Sequence, residues 1–155
     1  MDYCNSIFDL TSAVHLHLLQ SVVNAAARLI VKRRKCDHIT NSLRDDLHWL
    51  PVQYRSTYKL CTFVYKCLHG KAPSYLTEQC VPVATNSTRK SLRSVTDHNL
   101  ALPRTHLVRY GQRSFGVAGP ATWNQLPTEL HDPDISFDIF RKRLKTALFS
   151  RAYYS

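Results

Sequence analysis

Nowhere in the sequence do apolar residues run long enough to cross a bilayer, so no membrane partner is expected. Asp2 and Asp9 stand where a secretory leader carries its basic segment, and no long apolar stretch follows them, which argues against export. Cysteine is present only as Cys4, Cys36, Cys61, Cys67 and Cys80, an odd set without framework spacing and without a Cys-x-x-Cys pair. That excludes a disulfide scaffold, disfavours zinc, and fits a reducing compartment. Glycine numbers only 4, and no Gly-Lys-Ser/Thr follows any of them, so no phosphate loop is expected. Acids are scarce as well: 11 Asp and Glu against 21 Lys and Arg give a net charge of +10. The sequence therefore predicts an intracellular protein, nuclear or cytoplasmic, with no cofactor and a polyanion as its first partner to test.

What is present is enough for a folded domain. The chain has 155 residues, of which 44% are hydrophobic, which excludes wholesale disorder and allows a sizeable core. Its longest helical pattern runs from Val52 to Leu68, free of Gly and Pro, with Gly70 placed for a left-handed helix end. Tyr54, Tyr58, Cys61, Tyr65 and Leu68 recur at spacings of three or four and mark one face. Leu60, Phe63, Val64 and Cys67 widen that face, and Arg55, Lys59 and Lys66 share an arc of about 40°. The pattern predicts a central helix, buried on most sides, with one narrow basic strip.

Ahead of it, Thr11 or Ser12 can cap a helix whose apolar stripe is Leu19, Val22, Val23, Ala26, Leu29 and Ile30. Lys32-Arg33-Arg34-Lys35 closes that helix, where cations complement the backbone dipole and can also meet a phosphate backbone or serve nuclear import. Ile39 to Leu50 reads as a further short helix capped at Thr40. Within it, Asp45-Asp46 invites comparison with a two-metal catalytic turn. Adjacent residues on a helix diverge by about 100°, however, and cannot converge on paired ions. No catalytic residue and no metal ligand is assigned.

After the central helix, Pro73 can open a short helix through Glu78. A Ser/Thr-rich loop over residues 81–91 then divides a helical region, 1–80, from a C-terminal region, 92–155. In that second region Leu92 to Val95, Leu100 to Leu102, Leu107 to Tyr110 and Ser114 to Val117 read as short extended segments. Pro120 is placed for a first helical turn, and Gly119 for a special backbone angle, ahead of Trp123 and Leu126 as core anchors. Ser136 caps a last helix with Phe137, Phe140, Leu144 and Leu148 as its stripe and Arg141, Lys142, Arg143 and Lys145 on its other faces. The fold class read from these elements is mainly α, with a small extended or β portion in the C-terminal half.

Three blocks carry a family resemblance: Leu47-His48-Trp49-Leu50-Pro51-Val52, Tyr65-Lys66-Cys67-Leu68-His69-Gly70, and the stretch from Tyr110 to Pro127 with its Gly119-Pro120 and Trp123-Asn124-Gln125-Leu126-Pro127. In these the chain resembles the C-terminal, thumb and post-thumb region of non-LTR retrotransposon (LINE) reverse transcriptases of the jockey-like and chicken-repeat-like kind. The resemblance implies a helical thumb-like bundle with a short C-terminal subdomain. It also implies a non-catalytic role, since the palm, its aspartates and the endonuclease are not in this sequence. By the same resemblance, Arg28, Lys32, Arg33, Arg34, Lys35, Arg55 and Lys59 become candidate grips on the backbone of template RNA or DNA. Two other readings stand beside it: a non-functional remnant of a decayed element, and a domesticated protein-interaction module using the Trp123 clasp and the last helix.

Overall fold

A computed structural model describes residues 13–85, 98–103 and 111–154. The described residues are mainly helical, and no strand occurs among them. In chain order the helices are α1 (Ala13–Ile30), α2 (Val52–Leu68), α3 (Ser74–Thr77), α4 (Phe115–Trp123) and α5 (Phe137–Tyr153), with a π-helical turn over Ser42–Asp46 between α1 and α2.

α2 starts and stops where the sequence places it. Pro51 has ψ 154° and cannot continue a helix backwards, and Gly70 at φ 63° ends it. Past the end, Lys71 N–H donates to the Lys66 carbonyl at 2.8 Å and Gly70 N–H to that of Cys67 at 3.3 Å. That reciprocal pair satisfies two carbonyls the helix leaves over, and it needs a left-handed residue between them. α1 ends by the same device with a lysine in the glycine position. Lys32 sits at φ 54°, Arg33 N–H donates to Arg28 and Lys32 N–H to Leu29. A Cβ at positive φ costs about 1 kcal/mol relative to glycine. Lys32→Gly is therefore expected to raise stability by up to about 1 kcal/mol, read as a higher urea midpoint. A lowered midpoint would show that the Lys32 side chain contributes more than its backbone costs.

Two apolar clusters meet on α2. The larger joins Cys61, Val64, Tyr65 and Cys67 of α2 to Trp123 of α4 and to Phe140, Leu144 and Leu148 of α5. Residues on both sides of the expected 81–91 loop thus share one core. The smaller packs Val23 and Ala27 of α1 with Ile39, Leu43 and Val52. Tyr65 sits at the centre of the larger one, its ring 4.5 Å from that of Phe140 and its hydroxyl donating to the Ile135 carbonyl. The last helix follows its expected stripe: Phe140, Leu144 and Leu148 are buried, and the Ser136 side chain accepts from Ile139 N–H at its start.

Several expectations need correction. The 39–50 helix stops short: the π turn ends at Asp46, and His48 at φ 50° turns the chain towards Leu50 and Pro51. Ser114 to Val117 is not extended but the start of α4, with Ser114 as its N-cap residue. Pro120 accordingly lies inside α4 rather than in its first turn. Gly119 serves close approach rather than an unusual angle, since a Cβ there would lie 3.1 Å from Val64 Cγ2 of α2. Phe63, assigned to the apolar arc of α2, is 41% exposed. On α1 the buried line is Val23 and Ala27, with Leu16 and Leu19 beside it, while Val22, Leu29 and Ile30 face outward. Of the other extended segments, Leu100 makes an isolated antiparallel bridge with Pro82. Leu92 to Val95 and Leu107 to Tyr110 lie outside the described residues, as do Thr11 and Ser12.

Candidate nucleic-acid interface

Where α2 and α5 run side by side, a groove of about 280 Å³ opens to solvent, lined by Tyr58, Lys59, Thr62, Phe63, Lys66, Phe137 and Arg141. Helical spacing puts these residues together. Positions 59, 62, 63 and 66 are one strip of α2, and 137 and 141 are one turn apart on α5. Two of the three cations, Lys66 and Arg141, rest on aromatic rings. Lys66 Nζ lies 5.4 Å from the centre of the Phe137 ring and 5.9 Å from that of Phe63. The Arg141 guanidinium is 5.6 Å over Phe137, and its Nε donates to the Tyr58 hydroxyl at 3.1 Å. Such contacts hold a cation in place without neutralising it, and they set aromatic side chains and positive charge around the same opening. A polyanionic strand with flat bases has both complements there.

The seven residues proposed from the sequence divide by what their side chains already do. Arg28 is turned inward, donating from Nε and Nη2 to the Asp37 carbonyl, both at 3.2 Å. Arg55 donates from Nε to the Leu50 carbonyl at 2.7 Å and lies 5.2 Å over the Trp49 ring. Both are half-buried and tie the chain to itself. Lys32, Arg33, Arg34 and Lys35 are exposed on the turn after α1, where Asp37 Oδ2 accepts from Arg34 N–H at 2.9 Å and shapes the loop. Lys59 alone of the seven lines the groove. Lys66, Arg141 and the three rings complete a set that sequence reasoning divided among the core, the basic strip of α2 and the outer faces of α5.

Asp45 and Asp46 are both exposed on the π turn. Asp45 accepts from Arg44 Nε at 2.7 Å, and that hydrogen bond holds its carboxyl below the usual aspartate value. Among the described residues no group of three or more His, Cys, Asp or Glu is placed to hold a metal ion. No described helix is long and apolar enough to cross a membrane. Trp123, considered above as a partner contact, is 2% exposed and packs inside.

Cys61, Cys67 and Cys80 are buried whereas Cys36 is exposed. Burial raises both Cys67 and Cys80 above the ordinary 9.0, and Cys80, with the Cys67 thiol beside it, is pushed up to about 12. Since the thiolate is the reactive form, iodoacetamide at neutral pH is expected to modify Cys36 at least about tenfold faster than Cys67 or Cys80 in the folded chain. Peptide mapping after timed labelling checks this, and equal rates would contradict the burial. The shift also has a sign for stability. Unfolded thiols ionise from pH 9.0 upward while folded Cys80 keeps its proton to about 12. Its contribution is therefore intact below pH 9.0 and is lost as the pH rises through that window.

Compared with known proteins, the chain matches no protein-family model, no curated protein and no solved structure.

Proposed function

We propose that the chain is a non-catalytic nucleic-acid-binding module, akin to the thumb-like C-terminal part of a retrotransposon RNA-directed DNA polymerase, that grips RNA or DNA by its backbone without reading sequence. The observation that carries this is the α2–α5 groove, where Lys59, Lys66 and Arg141 stand among Tyr58, Phe63 and Phe137. Exposed cations at Lys32 to Lys35 add positive charge outside the groove, on a chain of net charge +10. Phosphates supply the affinity and the aromatic rings favour unpaired bases, so single strands are the preferred form. The thumb-like role rests on the family resemblance of the Leu47–Val52, Tyr65–Gly70 and Tyr110–Pro127 blocks.

The test is fluorescence anisotropy with labelled single strands of mixed and homopolymeric sequence, in RNA and DNA forms, over a series of salt concentrations. Binding is expected to all of them with little sequence preference and with affinity falling steeply in salt. Undetectable binding at low salt would end this reading. Binding that ignores salt would show that phosphates are not what is held.

A further inference from the structure

α1 carries a second apolar face that belongs to neither core among the described residues. Val14, Leu18, Val22 and Leu29 are 71%, 60%, 57% and 81% exposed. With exposed Ala25 they fall within about 80° of arc, turned away from the Val23–Ala27 line that packs on the smaller core. Leu18, Val22, Ala25 and Leu29 follow one another at intervals of four, three and four, the spacing of a helix–helix seam. The exposed side chains amount to on the order of 500 Å² of apolar surface, the size at which a patch marks an interaction site.

We propose that this face pairs with the same face of a second copy of the chain, antiparallel about a two-fold axis between residues 23 and 24. The seam is self-complementary in that direction. Leu18 meets Leu29 of the partner at each end, and large Val22 meets small Ala25 on either side of the axis, as an isologous contact requires. Charge selects the same orientation. α1 contains no acid, so a parallel pair would set the two Lys32–Lys35 runs side by side without compensation. The antiparallel pair sends them to opposite ends, about 30 Å apart at 1.5 Å per residue, well beyond the screening length. In this register Val14 lies opposite Arg33 and drops out, so Leu18, Val22, Ala25 and Leu29 of the two copies together bury under about 1,000 Å², the size of a weak, transient interface.

Sedimentation equilibrium tests this on the full chain, nuclease-treated and in about 0.3 M salt so that bound nucleic acid does not bridge copies. An average mass rising from 17.8 kDa towards twice that value is expected as the concentration is raised to about 300 µM. Leu18→Glu and Leu29→Lys should each weaken dimerisation at least about 100-fold while leaving helicity by circular dichroism unchanged. Mixed together, the two variants should dimerise again, since the antiparallel seam sets the new carboxylate opposite the new ammonium. A monomeric wild-type chain overturns the proposal, as does a Leu18→Glu chain that stays dimeric. Failure of the mixture to recover overturns the antiparallel register. Should Leu18→Glu lose helicity, Leu29→Lys decides alone, because Leu29 belongs to neither core, and an undiminished dimer in that variant overturns the proposal.

Discussion

Trp123→Ala is expected to cost about 3–5 kcal/mol, a large share of the stability of a domain this size. The indole is almost wholly buried, with the His131 ring stacked 5.1 Å away on one partner and Phe140 at 5.8 Å on another. Truncation removes those contacts and leaves a cavity where α4, α5 and the 131–135 segment meet. It also removes the donor of the His98 carbonyl, which accepts from Trp123 Nε1 at 3.4 Å, while the backbone carbonyl of residue 123 still accepts from His131 Nε2 at 2.9 Å. The His131 ring would lose the aromatic face that positions it. Urea unfolding followed by circular dichroism measures the loss. An unchanged midpoint would mean that the Tyr65–Phe140 stack, not Trp123, closes the core. Trp123→Phe keeps much of the ring and should recover roughly half of the effect.

The second large effect concerns binding. Replacing Lys59, Lys66 and Arg141 with Ala is expected to flatten the slope of log affinity against log salt by about two units if each cation meets one phosphate of a single strand. At about 0.1 M salt this corresponds to roughly a hundredfold loss. Replacing Lys32, Arg33, Arg34 and Lys35 instead is expected to lower the slope similarly but to leave the preference for single strands in place, since no ring accompanies that run. Phe63→Ala should do the converse, reducing single-strand preference at nearly constant slope. If the groove variant keeps full affinity while the 32–35 variant loses it, binding lies on the loop after α1. Neither result would alter the expected stability of the fold, because all of these side chains stand at its surface or rim.

The groove shows what kind of information a linear sequence withholds. Helical spacing fixes the angles among Lys59, Phe63 and Lys66 and between Phe137 and Arg141, yet the sequence reading set Phe63 and Phe137 with the core and the cations on other faces. That the two sets face one another, more than 70 residues apart in the chain, follows only from how α5 lies against α2. Arg28 and Arg55 show the reverse: their charge suggested a grip, while the carbonyls of Asp37 and Leu50 decide where the guanidinium groups go.

The sequence by itself determined α2 to the residue, because Pro51 forbids backward extension and Gly70 supplies the left-handed end that closes it. It determined the buried stripe and cap of α5, where Ser136 and the 137-140-144-148 spacing leave one solution. Only the tertiary structure decided that Phe115 to Val117 is helical. Its small and β-branched residues have weak helix propensity, and the turn forms because Gly119 lets α4 press on Val64 of α2. Only the tertiary structure decided which side of α1 is core. The helix bears apolar residues on two faces, and periodicity marks both without saying which one a neighbour covers.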